Sequence, residues 1–182
     1  MTYDPSKHHR RSIRLKEYDY GQPGAYFITI CTHRHVCLFG DVIDGTMCLN
    51  GYGYLVEEEW VQTEAIRPNV IMDVFRVMPN HVHGIIGIVD PERGRGMARH
   101  APTARQFGKP IHHSLPTMVG SFKSAVTKGI NRRRGTPGAL LWQRGYYEHI
   151  IRNERALDYI RQYIVENPLR WHFDKNFPKT GR

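Results

Sequence analysis

The stretch VIMDVFRVMPNHVHGIIGIV, residues 70–89, contains two apolar runs on either side of a short turn. Residues 70–78 and 81–89 have the length and the β-branched content of strands, and the Met-Pro-Asn between them is typical of a tight turn. We therefore predict an antiparallel hairpin at this point. Two histidines, His81 and His83, lie at the start of its second strand.

The histidine pair has the spacing of two residues on one face of a strand, since side chains i and i+2 project to the same side. Two imidazoles held in this way can offer nitrogen ligands to one cation. The same spacing also occurs at His33 and His35, so the spacing alone does not separate a metal site from chance. A third ligand and a reactive group are needed to decide.

Apolar periodicity and turn residues predict the other elements. We expect a strand at 24–32, a small hairpin of 42–43 with 47–49, helices at about 53–67, 116–133 and 154–166, and short strands within 139–152. This order favours one domain of the α+β class, an antiparallel sheet with helices packed on one face.

The last predicted helix offers both missing groups. Leu157, Ile160 and Ile164 form an apolar stripe, and Tyr163 and Asn167 lie one turn apart at its edge. An asparagine oxygen is a hard ligand that suits Mg²⁺ or Mn²⁺, and a phenol beside it is a candidate nucleophile. Ordinary edge packing is the alternative for Tyr163, and Tyr159, Tyr146 and Tyr147 are competing phenols.

Charge points to the class of partner. The chain has 26 Lys and Arg against 17 Asp and Glu, a formal net charge of +9 and a pI of about 9.7. Such a surface favours a polyanion, nucleic acid first, although a generally basic protein fits as well. No apolar run is long enough to span a bilayer, so we expect no membrane partner and a cytoplasmic protein. The three cysteines form no CxxC pair, which argues against a disulfide framework and a zinc ribbon.

Basic residues are concentrated in a few segments. Residues 1–20 predict an N-terminal arm, and 91–115 predict a long loop rich in Gly, Pro and Arg. Candidate DNA contacts are Arg11, Arg14, Arg132, Arg133, Arg134, Arg152 and His149. The three consecutive arginines also suit a helix C-terminus, where cations interact favourably with the helix dipole. The aromatic side chains of Trp142, Tyr146 and Tyr147 either stack on unpaired bases or pack in the core.

Four segments together resemble a known family. They are AYFITICTHRHVCLFG, VMPNHVHGIIGI, FKSAVTKGINRRRGTPGA and LWQRGYYEHIIRNERALDYIRQYIVENPLRW, in this order, within residues 20–172. The chain resembles the HUH single-strand DNA transposases and, within them, the REP-associated tyrosine transposases. The resemblance implies a ferredoxin-like α+β domain over residues 21–175 with the histidine pair on a central strand.

The resemblance also implies roles for individual residues. His81 and His83 match the metal-ligand histidines, Asn167 matches the third ligand, and Tyr163 matches the nucleophile. The implied activity is cleavage and rejoining of single-stranded, hairpin-associated DNA through a 5′-phosphotyrosine, with Mg²⁺ or Mn²⁺ as cofactor and a homodimer as the active species.

Three other interpretations remain open at this point. One is a non-catalytic nucleic-acid-binding module of similar fold that reads bases with sheet aromatics, for which Tyr26 and Phe27 are candidates. The second is a nuclease or relaxase with the same chemistry. The third is a domesticated HUH endonuclease whose chemistry is intact without mobility.

Overall fold

The computed structural model describes residues 18–89 and 114–178. The strands are β1 (Gly24–Cys31), β2 (Gly40–Ile43), β3 (Thr46–Leu49), β4 (Val70–Met78), β5 (His81–Ile88) and β6 (Tyr147–Ile151). The helices are α1 (Gly51–Ala65), α2 (Leu115–Arg134) and α3 (Glu154–Glu166), with short 3₁₀ helices at His33–His35 and Asn167–Phe173. Residues 1–17 of the predicted N-terminal arm, with Arg11 and Arg14, and nearly all of the loop predicted at 91–115 lie outside the described residues.

Four strands form the main sheet in the order β4-β5-β1-β6, and every neighbouring pair is antiparallel. The predicted hairpin is confirmed, with Met78 paired to His81 across the turn. Helix α1 connects β1 to β4 and α2 connects β5 to β6, so the chain runs strand–helix–strand twice, as in ferredoxin-like folds. The predicted antiparallel α+β class is thus confirmed. Strands β2 and β3 form a separate hairpin.

Helices α1 and α2 cover one face of the sheet. Tyr26 and Ile28 of β1 point to this face and pack with Trp60 of α1 and Phe122 of α2 in the main core. Trp60 also stacks on Phe75 at a centroid distance of 4.1 Å. A Cβ at Gly84 would lie 2.4 Å from the Trp60 ring, so glycine is what allows this indole to lie against β5.

Helix α3 covers the opposite face, and here the expectation that the helices pack on one face is wrong. Phe27 of β1 and Ile85 of β5 alternate with the residues of the main core and form a second cluster with Ile160 and Ile164 of α3. The physical reason is that Phe27 of β1 and Ile85 of β5 give the second face an apolar patch of its own, which needs a cover. Trp60 and Ile160 therefore belong to helices on opposite sides of the sheet.

The covered sheet bears on the base-reading alternative. Tyr26 is fully buried and Phe27 is 8% exposed, so the two aromatics proposed to read bases from a sheet surface are core residues. Among the described residues, no helix is long and apolar enough to cross a membrane.

Candidate metal and tyrosine site

The two histidines lie fully buried at the start of β5, on the face covered by α3. Their rings meet edge to face at a centroid distance of 4.5 Å, and the Nε2 atoms are 3.0 Å apart. Both imidazoles therefore direct the same ring nitrogen toward one point, the arrangement that a shared cation requires.

Asn80 fixes the proton of His81. Its amide nitrogen donates to the backbone oxygens of His35, at 3.0 Å, and Asn176, at 2.7 Å. These bonds turn the amide oxygen toward Nδ1 of His81, at 2.9 Å. Since this oxygen can only accept, Nδ1 carries the hydrogen and Nε2 has a free lone pair, as a metal-binding histidine needs.

His83 is held from the neighbouring strand. Thr29 is its register partner on β1, and the threonine hydroxyl lies 2.9 Å from Nδ1 of His83. The Phe27 ring stacks on His83 at 5.4 Å. If both Nε2 atoms kept their lone pairs, they would repel at 3.0 Å, so a proton or a cation must lie between them.

Burial controls the charge of the pair. It lowers the pKa of His81 to about 4, against the opposing effect of the Asp174 carboxylate. Burial and the neighbouring His81 hold the pKa of His83 well below its ordinary value. Both rings are therefore neutral near pH 7, which is the form that binds metals.

Helix α3 brings Tyr163 to this pair. The helix begins after Asn153, whose side chain accepts from the backbone of Ala156, and its buried Ile164 packs on the sheet. The Tyr163 hydroxyl lies 3.5 Å from Nε2 of His83. Tyr159, the competing phenol one turn earlier, is 72% exposed. The structure thus brings the predicted nucleophile, Tyr163, against the histidines.

The environment keeps the Tyr163 phenol protonated. Burial, with a smaller contribution from the Asp174 carboxylate, raises its pKa to about 12, and the Asn167 amide opposes this rise. A nucleophilic role therefore requires a positive charge near the phenol oxygen when substrate is bound.

Asn167 faces the same point. It is 2% exposed, and its amide acts on the pKa of both His81 and Tyr163. The amide nitrogen donates to Asp174 at 3.0 Å, whereas the amide oxygen is buried with no hydrogen-bond partner among the described residues. An orphaned oxygen in this position fits a metal ligand.

Asp174 is the residue that sequence reasoning missed. Its carboxylate and the ring nitrogens of His81 and His83 lie within 4.8 Å of one another, close enough to hold one metal ion. The available signal was weak, a single acidic residue in the basic stretch RWHFDKNF, seven positions after Asn167. Two neutral imidazoles, a carboxylate and a free amide oxygen together suit a divalent cation such as Mn²⁺.

Three of the arginines predicted to contact DNA, Arg132, Arg133 and Arg134, lie at the end of α2. A surface groove of about 870 Å³ runs between the second half of α2 and residues 135–143. Lys123, Lys128 and Arg132 line it, and no acidic residue does so among those described. Arg133 and Arg134 are exposed beside it, and Arg133 donates to the backbone oxygen of Gly51.

His149 and Arg152 lie elsewhere, on and just after the edge strand β6. Both are exposed, and both line a smaller cavity of about 480 Å³ beside the start of α3. The three aromatic residues considered for base stacking differ in exposure. Trp142 is buried, Tyr146 packs against the main core, and Tyr147 is 44% exposed.

Comparison with known proteins agrees with this architecture. No protein-family model matches the chain. An uncharacterized protein of Haemophilus influenzae is 41% identical over 174 residues, which cover 95% of this chain and 96% of that protein. Among solved structures, a REP-associated tyrosine transposase bound to a REP hairpin matches 91% of this chain and 77% of its own, with 18% identity and a TM-score of 0.54.

A candidate transposase of Deinococcus radiodurans also matches, at 18% identity over 86% of this chain and 98% of its own, but its TM-score of 0.42 is too low to carry an argument. The level of identity to the Haemophilus influenzae protein establishes common family, and the structural match establishes the fold. The chain therefore belongs to one family with this Haemophilus influenzae protein and has the fold of a REP-associated tyrosine transposase.

Proposed function

We propose that this protein is a metal-dependent tyrosine DNA strand transferase of the HUH type, which cleaves and rejoins single-stranded DNA through a 5′-phosphotyrosine. The observation that carries the proposal is the 3.5 Å approach of the Tyr163 hydroxyl to Nε2 of His83, which itself lies 3.0 Å from Nε2 of His81. A phenol oxygen within 3.5 Å of one of two converging imidazoles suits a nucleophile beside a metal.

His81 and His83 would hold Mg²⁺ or Mn²⁺ together with Asp174 and the free oxygen of Asn167. A divalent cation bound there supplies Lewis-acid polarisation of a phosphoryl oxygen. Asn80 and Thr29 orient the two imidazoles, and α3 with its apolar stripe sets the position of the phenol.

The chemical step is an exchange of phosphoesters. The Tyr163 oxygen forms a bond to phosphorus while the bond to the 3′-oxygen breaks, and the phenol proton leaves to solvent as the departing oxygen becomes a 3′-hydroxyl. Because the phosphotyrosine bond keeps the ester energy, another 3′-hydroxyl can reverse the step and join strands. The DNA-bound state of the structural relative, a REP-associated tyrosine transposase on a REP hairpin, supports hairpin-associated DNA as the substrate.

The basic groove beside α2 supports a DNA partner as well, because Lys128 and Arg132 line a preformed surface to which the described part of the chain contributes no carboxylate. We further propose a homodimer acting in the cytoplasm, which light scattering of the purified protein and its distribution in fractionated cells would test.

Covalent capture tests the proposal. The protein is incubated with labelled single-stranded hairpin DNA from its own locus and Mg²⁺ or Mn²⁺, and protein–DNA adducts are separated under denaturing conditions. We expect an adduct with the wild type, none with Tyr163→Phe, and none with His81→Ala, while DNA binding measured by anisotropy remains in both variants. His33→Ala, from the second His-x-His, serves as the control and should retain the adduct.

Two results would contradict the assignment. An adduct that persists in Tyr163→Phe would place the nucleophile elsewhere, for example at Tyr159. Joint loss of adduct and DNA binding in His81→Ala, with loss of the folded-state circular dichroism, would give this histidine a structural role.

A further inference from the structure

We propose that Tyr147 and Lys175 form a nucleotide subsite beside Tyr163, in which the Tyr147 ring stacks on an unpaired base and the Lys175 ammonium contacts its phosphate. The inference rests on the proposed function and specifies how the site would hold a single strand. Neither residue belongs to the metal and tyrosine site described above.

The sheet register places Tyr147 on the face of the histidines. Tyr147 begins β6 and pairs directly with Thr29 of β1, so their side chains project to the same side. Thr29 in turn contacts His83. The Tyr147 ring also meets Phe27 edge to face at 6.1 Å, and Phe27 is the ring that stacks on His83.

Tyr147 is accessible in a way that its aromatic neighbours are not. It is 44% exposed, whereas Trp142 is 7% exposed and Phe27 is 8% exposed. With part of its ring exposed next to the half-buried phenol of Tyr163, Tyr147 presents a flat apolar surface beside the proposed nucleophile. Every base has a π-face, so such a ring can bind unpaired nucleotides without reading their sequence.

Lys175 adds the complementary charge. Its ammonium nitrogen lies 5.0 Å from the centre of the Tyr147 ring, and the side chain is exposed. Lys175 directly follows Asp174, whose carboxylate lies within 4.8 Å of the ring nitrogens of His81 and His83. A phosphate close to the histidine pair therefore lies within reach of this flexible side chain. The ammonium group can leave the Tyr147 ring and contact a phosphate oxygen instead.

The competing explanation is structural: the cation–π contact fastens the segment after Trp171 to the edge strand. The two explanations differ in their dependence on the DNA. A fastening contact acts equally on every substrate, whereas a stacking ring loses its effect when the base that it contacts is absent.

The experiment is a thermodynamic cycle between protein and DNA in the Tyr163→Phe background, which prevents cleavage. Fluorescein-labelled hairpins with single-stranded flanks from the gene's own locus are prepared intact and with one abasic nucleotide at each flank position. Fluorescence anisotropy then gives the Kd of each DNA for the Tyr163→Phe parent and for the same protein carrying Tyr147→Phe or Tyr147→Ala. Tyr54→Ala, at a phenol 57% exposed on α1 across the sheet, is the matched control.

We expect Tyr147→Ala to weaken binding of the intact strand between about fivefold and a hundredfold, and Tyr147→Phe and Tyr54→Ala to bind like the parent. When the abasic nucleotide stands at one particular flank position, the parent and its Tyr147→Ala variant should bind the strand with the same Kd. Lys175→Gln should reduce the slope of log Kd against log salt by about 0.7, the loss of one phosphate contact.

The subsite is rejected if Tyr147→Ala binds the intact strand as tightly as the parent, or if its penalty is the same at every abasic position. An unchanged salt slope in Lys175→Gln removes the phosphate contact from the proposal. These binding results are independent of cleavage. A wild type that forms no covalent adduct contradicts the proposed function, whereas the subsite is tested by the binding measurements alone.

Discussion

His81 and His83 face each other through their Nε2 atoms, which are 3.0 Å apart, and both side chains are fully buried. Asn80 places the hydrogen of His81 on Nδ1. The space between the two Nε2 atoms therefore holds either the Nε2 hydrogen of a neutral His83 or one cation, and it does not hold two positive charges. The protonation of the pair is therefore linked to folding and, under the proposed function, to metal binding.

The metal-free protein should lose stability as the pH falls from about 6.5 to about 4. Burial lowers the pKa of His81 to about 4, so in this range the unfolded chain binds a proton that the folded chain excludes. The stabilisation that comes from the low pKa of His81 is fully present above the pKa of the unfolded chain. Its loss at low pH reduces the free energy of unfolding by on the order of 3 kcal/mol.

Urea unfolding in the presence of a chelator, repeated across this range, measures the effect. His81→Gln cannot take up the proton and should give a flatter profile. Parallel profiles for the two proteins would mean that other groups control the acid sensitivity.

Asp174→Asn should weaken Mn²⁺ binding by at least about tenfold, because it removes the carboxylate charge that lies with the histidine nitrogens. Asn167→Ala should weaken it less, since a neutral oxygen is lost. Isothermal titration of Mn²⁺ measures both. Asp158→Asn makes the same charge change on the exposed side of α3 and is the control; an equal loss there would reduce the role of Asp174 to general electrostatics.

Asn80→Ala should reduce Mn²⁺ affinity by between about tenfold and a hundredfold, because His81 loses the acceptor that fixes its tautomer. It should also destabilise the fold by about 1–3 kcal/mol, since two backbone oxygens lose their donor. Asn50→Ala separates the two effects: Asn50 caps α1 by accepting from Tyr52 and Gly53, so its loss should lower stability and leave metal affinity intact. Unchanged metal affinity in Asn80→Ala would exclude the tautomer argument.

Asp73→Asn should slow adduct formation between about tenfold and a hundredfold while Mn²⁺ binding is retained. Asp73 lies at an irregularity of β4, between Met72 and Phe75, and one of its oxygens accepts from Arg161 of α3 at 2.7 and 2.9 Å. This ion pair fastens the tyrosine helix to the sheet. The control is Asp158→Asn, which changes the exposed partner of Arg161 and should react at the wild-type rate. If Asp158→Asn slows adduct formation as much as Asp73→Asn does, Asp73 has no anchoring role. Single-turnover capture measures the rate.

The elements near the site were accessible from sequence because their signals are local. The hairpin that carries His81 follows from two β-rich runs around Met-Pro-Asn, and the apolar stripe of α3 places Tyr163 and Asn167 at one edge. The small hairpin at Asp44 and Gly45 follows from turn residues, and it forms where predicted. In each case periodicity or turn chemistry specifies both the element and the side that faces inward.

The remainder depends on tertiary contacts that no local pattern encodes. The helical period of α3 shows which side of the helix is buried but not which face of the sheet it covers, so its place opposite α1 was not predictable. Asp174 follows a 3₁₀ helix in an irregular segment without any period. Asn80 resembled an ordinary turn residue, because its partners at His35 and Asn176 lie 45 and 96 positions away.

The wide separation of the site residues along the chain has a consequence for synthesis. A ribosome that has translated β5 has produced both histidines, but the phenol follows about eighty residues later, and the carboxylate of Asp174 later still. Because a chain folds as it emerges, an unfinished product can form the strands of the sheet and still lack the Tyr163 phenol and the Asp174 carboxylate. Under the proposed function, a nascent chain has no nucleophile for DNA cleavage until Tyr163 has been translated and the turn anchored by the Asn176 backbone on Asn80 has closed.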